Sequence, residues 1–131
     1  MAYSRETRSI VVSVEPQFVE EQSSPKEGVF FWAYTVDIRN QGIDTVRLRS
    51  RYWKITDGNG RVQEVRGRGV VGEQPVLASG GHFQYTSGCP LGTPSGIMVG
   101  TYTMENPDGT IFDVEIPAFS LDSPHARRVL N

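Results

Sequence analysis

The chain has 131 residues, 37% of them hydrophobic and 21% charged, with a formal net charge of −2. That length suits one domain with a single core, burying about two-thirds of the surface its unfolded chain would expose. No apolar run approaches the ~20 residues of a membrane-spanning helix, so a membrane role is excluded on that pattern. Arg5, Glu6 and Arg8 lead straight into Ile10-Val11-Val12 without the apolar stretch of a secretion signal, and one cysteine, Cys89, cannot form an internal disulfide. A cytoplasmic location is expected.

Helical periodicity is absent, while 14 glycines and 8 prolines punctuate short runs of β-formers. Arg8 to Phe18 reads as a first strand with Ile10, Val12 and Val14 on one face, and Pro16 argues for an edge or a break. Glu20 to Glu27 reads as an acidic, Ser-rich loop. Val29 to Asn40 alternates most regularly and places Phe30, Trp32, Tyr34, Val36 and Ile38 in the core. From Thr45 to Asp57 the phase flips: Val46 and Leu48 share one parity, Trp53 and Ile55 the other. An extra residue around Ser50 to Tyr52, a β-bulge, would restore the facing. Asp57-Gly58-Asn59-Gly60 predicts a hairpin turn into Arg61 to Arg66. Later inward stripes are Phe83 and Tyr85, then Met98, Tyr102 and Met104, then Phe112, Val114 and Ile116, with Asn106-Pro107-Asp108-Gly109 turning the last hairpin.

Seven or eight such strands predict an all-β fold: a β-sandwich of two antiparallel sheets with fibronectin type III or immunoglobulin character. A partly closed barrel is the alternative. The whole chain, 1–131, reads as one domain with the sandwich over about 8–121 and a mobile tail over 122–131.

Two local features carry the functional argument. Arg47, Arg49, Arg51, Lys54, Arg61, Arg66 and Arg68 stand against only Asp57 and Glu64, a local excess of +5 in a chain of net −2, so the remainder carries −7. Such a patch suits anionic ligands or acidic partner surfaces, and alternation predicts Arg47, Arg49 and Arg51 as a row on one sheet face. Next to it, Gly67, Gly69 and Gly72 spell G-x-G-x-x-G. In dinucleotide folds that motif sits between a strand and a helix whose N-terminus holds phosphate. Here Val70, Val71 and Pro75 oppose a helix, and His82 to Thr86 alternates like a strand. The glycines therefore read first as a loop with unusual dihedrals or close backbone approach. The second reading is a nest of N–H groups in which Arg66 and Arg68 supply charge to a pyrophosphate or nucleotide.

The blocks Arg51-Tyr52-Trp53-Lys54-Ile55-Thr56-Asp57, Gly67 to Pro75, Tyr85-Thr86-Ser87-Gly88 and Gly96-Ile97-Met98-Val99-Gly100-Thr101-Tyr102 resemble, in content and spacing, the bacterial ApaG (CorD) family. The resemblance runs from the first strand to Pro117-Ala118-Phe119-Ser120-Leu121. It implies a fibronectin type III-like sandwich and no settled biochemical activity. It also implies an association with cobalt resistance and magnesium handling, and, from similar domains in eukaryotic F-box and DNA-polymerase-interacting proteins, a role in protein contacts.

No catalytic, cofactor or metal site is expected. Cys89 has no neighbouring histidine in sequence, His82 should point to solvent, and His82, His125 and Cys89 lie far apart without ligand spacing. Nucleic acid is disfavoured by the acidic remainder and the missing aromatic signature. The expectation is a non-enzymatic interaction or regulatory module that recognises a protein partner through Arg47, Arg49, Arg51 and the Arg66–Gln74 loop. A phosphate-containing small molecule is the alternative ligand.

Overall fold

A computed structural model of the chain describes residues 2–126. Among them, alternation of apolar and polar side chains yields nine strands: β1 Tyr3–Thr7, β2 Ile10–Phe18, β3 Phe30–Asn40, β4 Val46–Asp57, β5 Val62–Arg68, β6 Val76–Leu77, β7 His82–Leu91, β8 Ser95–Glu105 and β9 Ile111–Asp122. They form two antiparallel sheets, ordered β1-β2-β3-β7 and β5-β4-β8-β9, with the short β6 continuing along β4 where β5 has left it. This is the predicted β-sandwich. No helix among the described residues is long and apolar enough to cross a membrane.

The inward stripes meet between the sheets. Phe30, Trp32, Tyr34, Val36 and Ile38 of β3 are all buried, and Trp32, Tyr102 and Phe119 are the largest fully buried side chains. Trp53 organises one end, packing edge-on against Tyr34 at 5.5 Å and against Phe119 at 5.9 Å between ring centroids. β9 lies against β1 and β2 and closes one side of the sandwich. On the other side the edges of β5 and β7 leave a cleft.

Two boundaries differ from the sequence reading, and the Pro16 expectation is met. The first predicted strand is two: Arg8 and Ser9, at φ 51° and 67°, form a tight turn between β1 and β2. Positive φ at two residues is the geometry of a two-residue hairpin, but Arg-Ser lacks the Asn or Gly that announces it. Pro16 lies in β2 beyond the end of β1, whose pairing stops at Tyr3 with Val14, so its missing N–H faces an open edge. The expected tail begins later than residue 122. β9 runs through Asp122, Ser123 Oγ donates to the Pro94 carbonyl at 2.7 Å, and His125 packs on Phe18 at 5.8 Å. The rest of the predicted tail, residues 127–131, lies outside the described residues.

Candidate recognition surface

The glycine segment and the arginine strand form one local structure. β4 carries a bulge as expected, but at Arg49, just before the Ser50 to Tyr52 interval in which the sequence placed it: Leu48 pairs with Met104 and Ser50 with Thr103, leaving Arg49 as the extra residue. The bulged carbonyl of Arg49 accepts from Gly69 N at 2.8 Å and from Gln74 Nε2 at 2.8 Å. Between those donors the chain makes a miniature hairpin. Val70 N donates to Glu73 O at 2.8 Å, Glu73 N to Val70 O at 2.9 Å, and Val71 and Gly72 turn at φ 43° and 80°. No helix follows Gly72; the next element is β6. The N–H groups of Gly69, Val70 and Glu73 are thus bonded inside the protein. Gly69 itself sits at φ 64°, where a Cβ would strike the Glu73 carbonyl oxygen. Gly67, within β5, lies under Arg51, whose guanidinium carbon would stand 2.6 Å from a Cβ there.

The bulge also divides the predicted arginine row. Arg47 pairs with Glu105 and is exposed on the outer face, and Arg49 forms an ion pair with Glu105 at 3.2 Å. Arg51 pairs with the fully buried Tyr102 and so faces the sandwich interior, the correction that a one-residue phase change imposes. Its Nη1 donates to the carbonyls of Gly69 at 2.9 Å and Arg68 at 3.3 Å. Tyr52 consequently points outward, a position that the sequence parity of the arginines had concealed. Arg66 of β5 lies over the Tyr52 ring at 4.3 Å, Tyr52 Oη donates to Glu64 Oε2 at 2.7 Å, and Arg66 stands 3.8 Å from the same carboxylate. Arg68 reaches Gln74 Oε1 at 3.4 Å.

Two concavities result. On the outer face, a shallow groove of about 470 Å³ runs over Tyr52, Arg66, Arg68, Thr101 and Thr103. Between the sheets, a cleft of about 230 Å³ opens between β5 and β7, floored by Tyr34 and Trp53 with Arg51 on its wall. A roomier hollow of about 630 Å³ lies outside the groove and the cleft, lined by Arg8, Asn40, Ile43, Val46, Asn106 and Phe112.

The ApaG domain family matches residues 20–106, spanning β3 to β8. The chain belongs to the ApaG family. It is 63% identical over 129 residues to Protein ApaG of Methylorubrum extorquens (strain PA1), covering 98% of this chain and 99% of that one, and 62% identical, with the same coverage, to that of Parvibaculum lavamentivorans. A Bordetella pertussis protein described as ApaA superposes with a TM-score of 0.86 at 52% identity, covering 89% of this chain and 95% of its own.

Within this ApaG fold the reactive groups are dispersed. Among the described residues no three His, Cys, Asp or Glu side chains gather closely enough to hold a metal ion. His82 is exposed on β7, and His125 Nε2 faces Glu20 Oε1 at 3.2 Å. Cys89 is buried, and burial pushes its thiol pKa up to about 11. A raised pKa keeps the thiolate, the reactive form, scarce at neutral pH. Alkylation of Cys89 by iodoacetamide at pH 8 is therefore expected to be at least about tenfold slower in the folded protein than in urea. Equal rates would show the thiol to be open to solvent.

Proposed function

We propose that the protein is a non-catalytic interaction module that binds an acidic stretch of a protein partner on the outer face of β4 and β5. The observation that carries this reading is the pairing of Arg66 and Arg68 at successive outward positions of β5, bordering a groove floored by Tyr52. Arg49 is held at 3.2 Å by Glu105 and Arg66 only loosely, at 3.8 Å, by Glu64, so Arg66, Arg68 and the exposed Arg47 and Lys54 are the cations a partner would meet. A guanidinium stacked on an aromatic ring is held in place yet keeps its edge donors for carboxylates, which favours planar anionic side chains. The pyrophosphate reading is the weaker one, because three amides of the glycine segment already have internal acceptors. Effects on cobalt or magnesium would then run through the partner.

The test is charge reversal. Proteins captured on the immobilised chain should be lost with Arg66→Glu/Arg68→Glu and retained with Arg39→Glu, which alters an exposed cation on the other sheet. An unchanged set after the double substitution would remove the outer groove as the recognition surface.

A further inference from the structure

The strand edges of the sandwich are not equally guarded. β5 carries Glu64, Arg66 and Arg68; β9 carries Asp113 and Glu115 and is bulged near Pro117; β1 is five residues long and contains Arg5 and Glu6. Charges, bulges and brevity are the devices by which proteins keep edges from pairing with other chains. β7 has almost none of them. Its ten residues, His82–Leu91, include no Asp, Glu, Lys or Arg, and its register with β3 is continuous from Arg39 opposite His82 to Phe30 opposite Leu91. Pro90 blunts only the last step. The β3 pairing uses one side of β7, and the other side borders the cleft.

That cleft contains a cation without a counter-charge. Arg51 reaches it because the Arg49 bulge turns its side chain inward and because Gly67 leaves room for the guanidinium to cross β5. Its hydrogen bonds are to two backbone carbonyls, both through Nη1, and no carboxylate among the described residues forms an ion pair with it. The surrounding surface is aromatic and aliphatic, from Tyr34, Trp53, Ile55 and Val65. A half-buried guanidinium beside apolar walls is complementary to one carboxylate flanked by apolar side chains.

We propose that β7 accepts an extended peptide by strand addition, and that this peptide carries an acidic side chain at one inward position, set against Arg51, with small aliphatic side chains two residues to either side. In a strand beside β7, every second side chain would follow the phase of Tyr85, Ser87 and Cys89 into the cleft, which gives the alternating pattern its two-residue period. Backbone pairing supplies affinity, and Arg51 selects the sequence. The inference rests on the reading of this chain as an interaction module; Arg51 borders the Arg66–Arg68 groove as well as the cleft, but the accepting edge is β7, which the groove does not include.

The probe is the blocked peptide Ac-Lys-Thr-Val-Thr-Glu-Thr-Val-Thr-Lys-NH2, titrated into the labelled full chain and followed by amide NMR shifts. The expected result is saturable shifts concentrated in His82–Leu91, a roughly tenfold weaker affinity for the Glu→Gln peptide and for Arg51→Gln protein, and no binding by Ser87→Lys, which sets a charge on the inward side of the edge. The Arg66→Glu/Arg68→Glu protein should bind the peptide as before, so failure of the outer-groove reading registers separately. Shifts confined to another edge, equal affinity for the Gln peptide, or no shift at millimolar peptide would overturn the proposal. So would concentration-dependent dimerisation protecting the β7 amides, because it would give the edge to a second copy of the chain.

Discussion

Gly69→Ala is expected to lower the stability of the protein by about 3 kcal/mol or more, read as a drop in the urea midpoint, whereas Gly72→Ala costs about 1 kcal/mol. Both glycines hold positive φ, 64° and 80°, so both substitutions incur the left-handed penalty. Only at Gly69 is there a collision. The added Cβ would strike the Glu73 carbonyl oxygen and stand 2.9 Å from its carbon, whereas nothing lies within 4 Å of the same atom at Gly72. The colliding atom is backbone, and moving it would break the Val70–Glu73 pair and the Gly69 N–H bond to Arg49 that holds the bulge. Gly67→Ala is different again, because its obstacle is the flexible end of Arg51. Stability should hardly change while Arg51 is displaced, so the titration with the glutamate-bearing peptide should report the substitution instead. Equal, small costs at Gly69 and Gly72 would contradict the structural role assigned to the motif.

The same segment shows what could be read from the sequence and what could not. A strand with one buried face announces itself by a two-residue period, which is why β3 and β8 were legible residue by residue. The parity change in β4 was equally visible, but a parity change fixes only an interval. Between Leu48 and Trp53 the extra residue could sit at several places, and each choice sends different side chains inward. The structure puts it at Arg49, because the Gly69 amide and the Gln74 side chain converge on that carbonyl from a hairpin far enough along the chain to leave no local trace. Arg51 and Tyr52 exchange faces as a result. The cleft cation and the groove floor follow from that exchange, so the site was legible as a composition and not as a surface. β1 escaped for a related reason: in Tyr3–Thr7 no residue is fully buried, and its turn uses Arg8 and Ser9. His125 is held by Phe18 and Glu20, contacts with no periodic signature.

The stability of the protein is expected to fall in two stages at alkaline pH, beginning near pH 9 and steepening above pH 10. Cys89 is held protonated by burial up to about 11, and Tyr85 and Tyr102 are raised further, first by burial and then, at Tyr102, by the neighbouring phenol. These are acids whose folded-state pKa exceeds the unfolded value. Between the two values the native state binds more protons than the unfolded state, so stability is intact below the unfolded pKa and falls as pH rises. The Cys89 contribution, from 9.0 to about 11, corresponds to a loss of roughly 2–3 kcal/mol at about 1.4 kcal/mol per unit. Urea midpoints measured from pH 8 to 11 should decline accordingly, with Cys89→Ala flattening the first stage. The second stage belongs to the tyrosines, whose hydroxyls hydrogen-bond to each other in the core. Replacing one of them leaves the other hydroxyl buried without its partner, a penalty of about 1–3 kcal/mol, whereas Tyr85→Phe/Tyr102→Phe removes both polar ends together. The double variant should therefore be more stable at neutral pH than either single one and should lose most of the steepening above pH 10, keeping the Cys89 decline. A midpoint that stays level from pH 8 to 11 in the unaltered protein, with tyrosinate absorbance appearing at the ordinary pH, would mean that the hydroxyl pair is open to water.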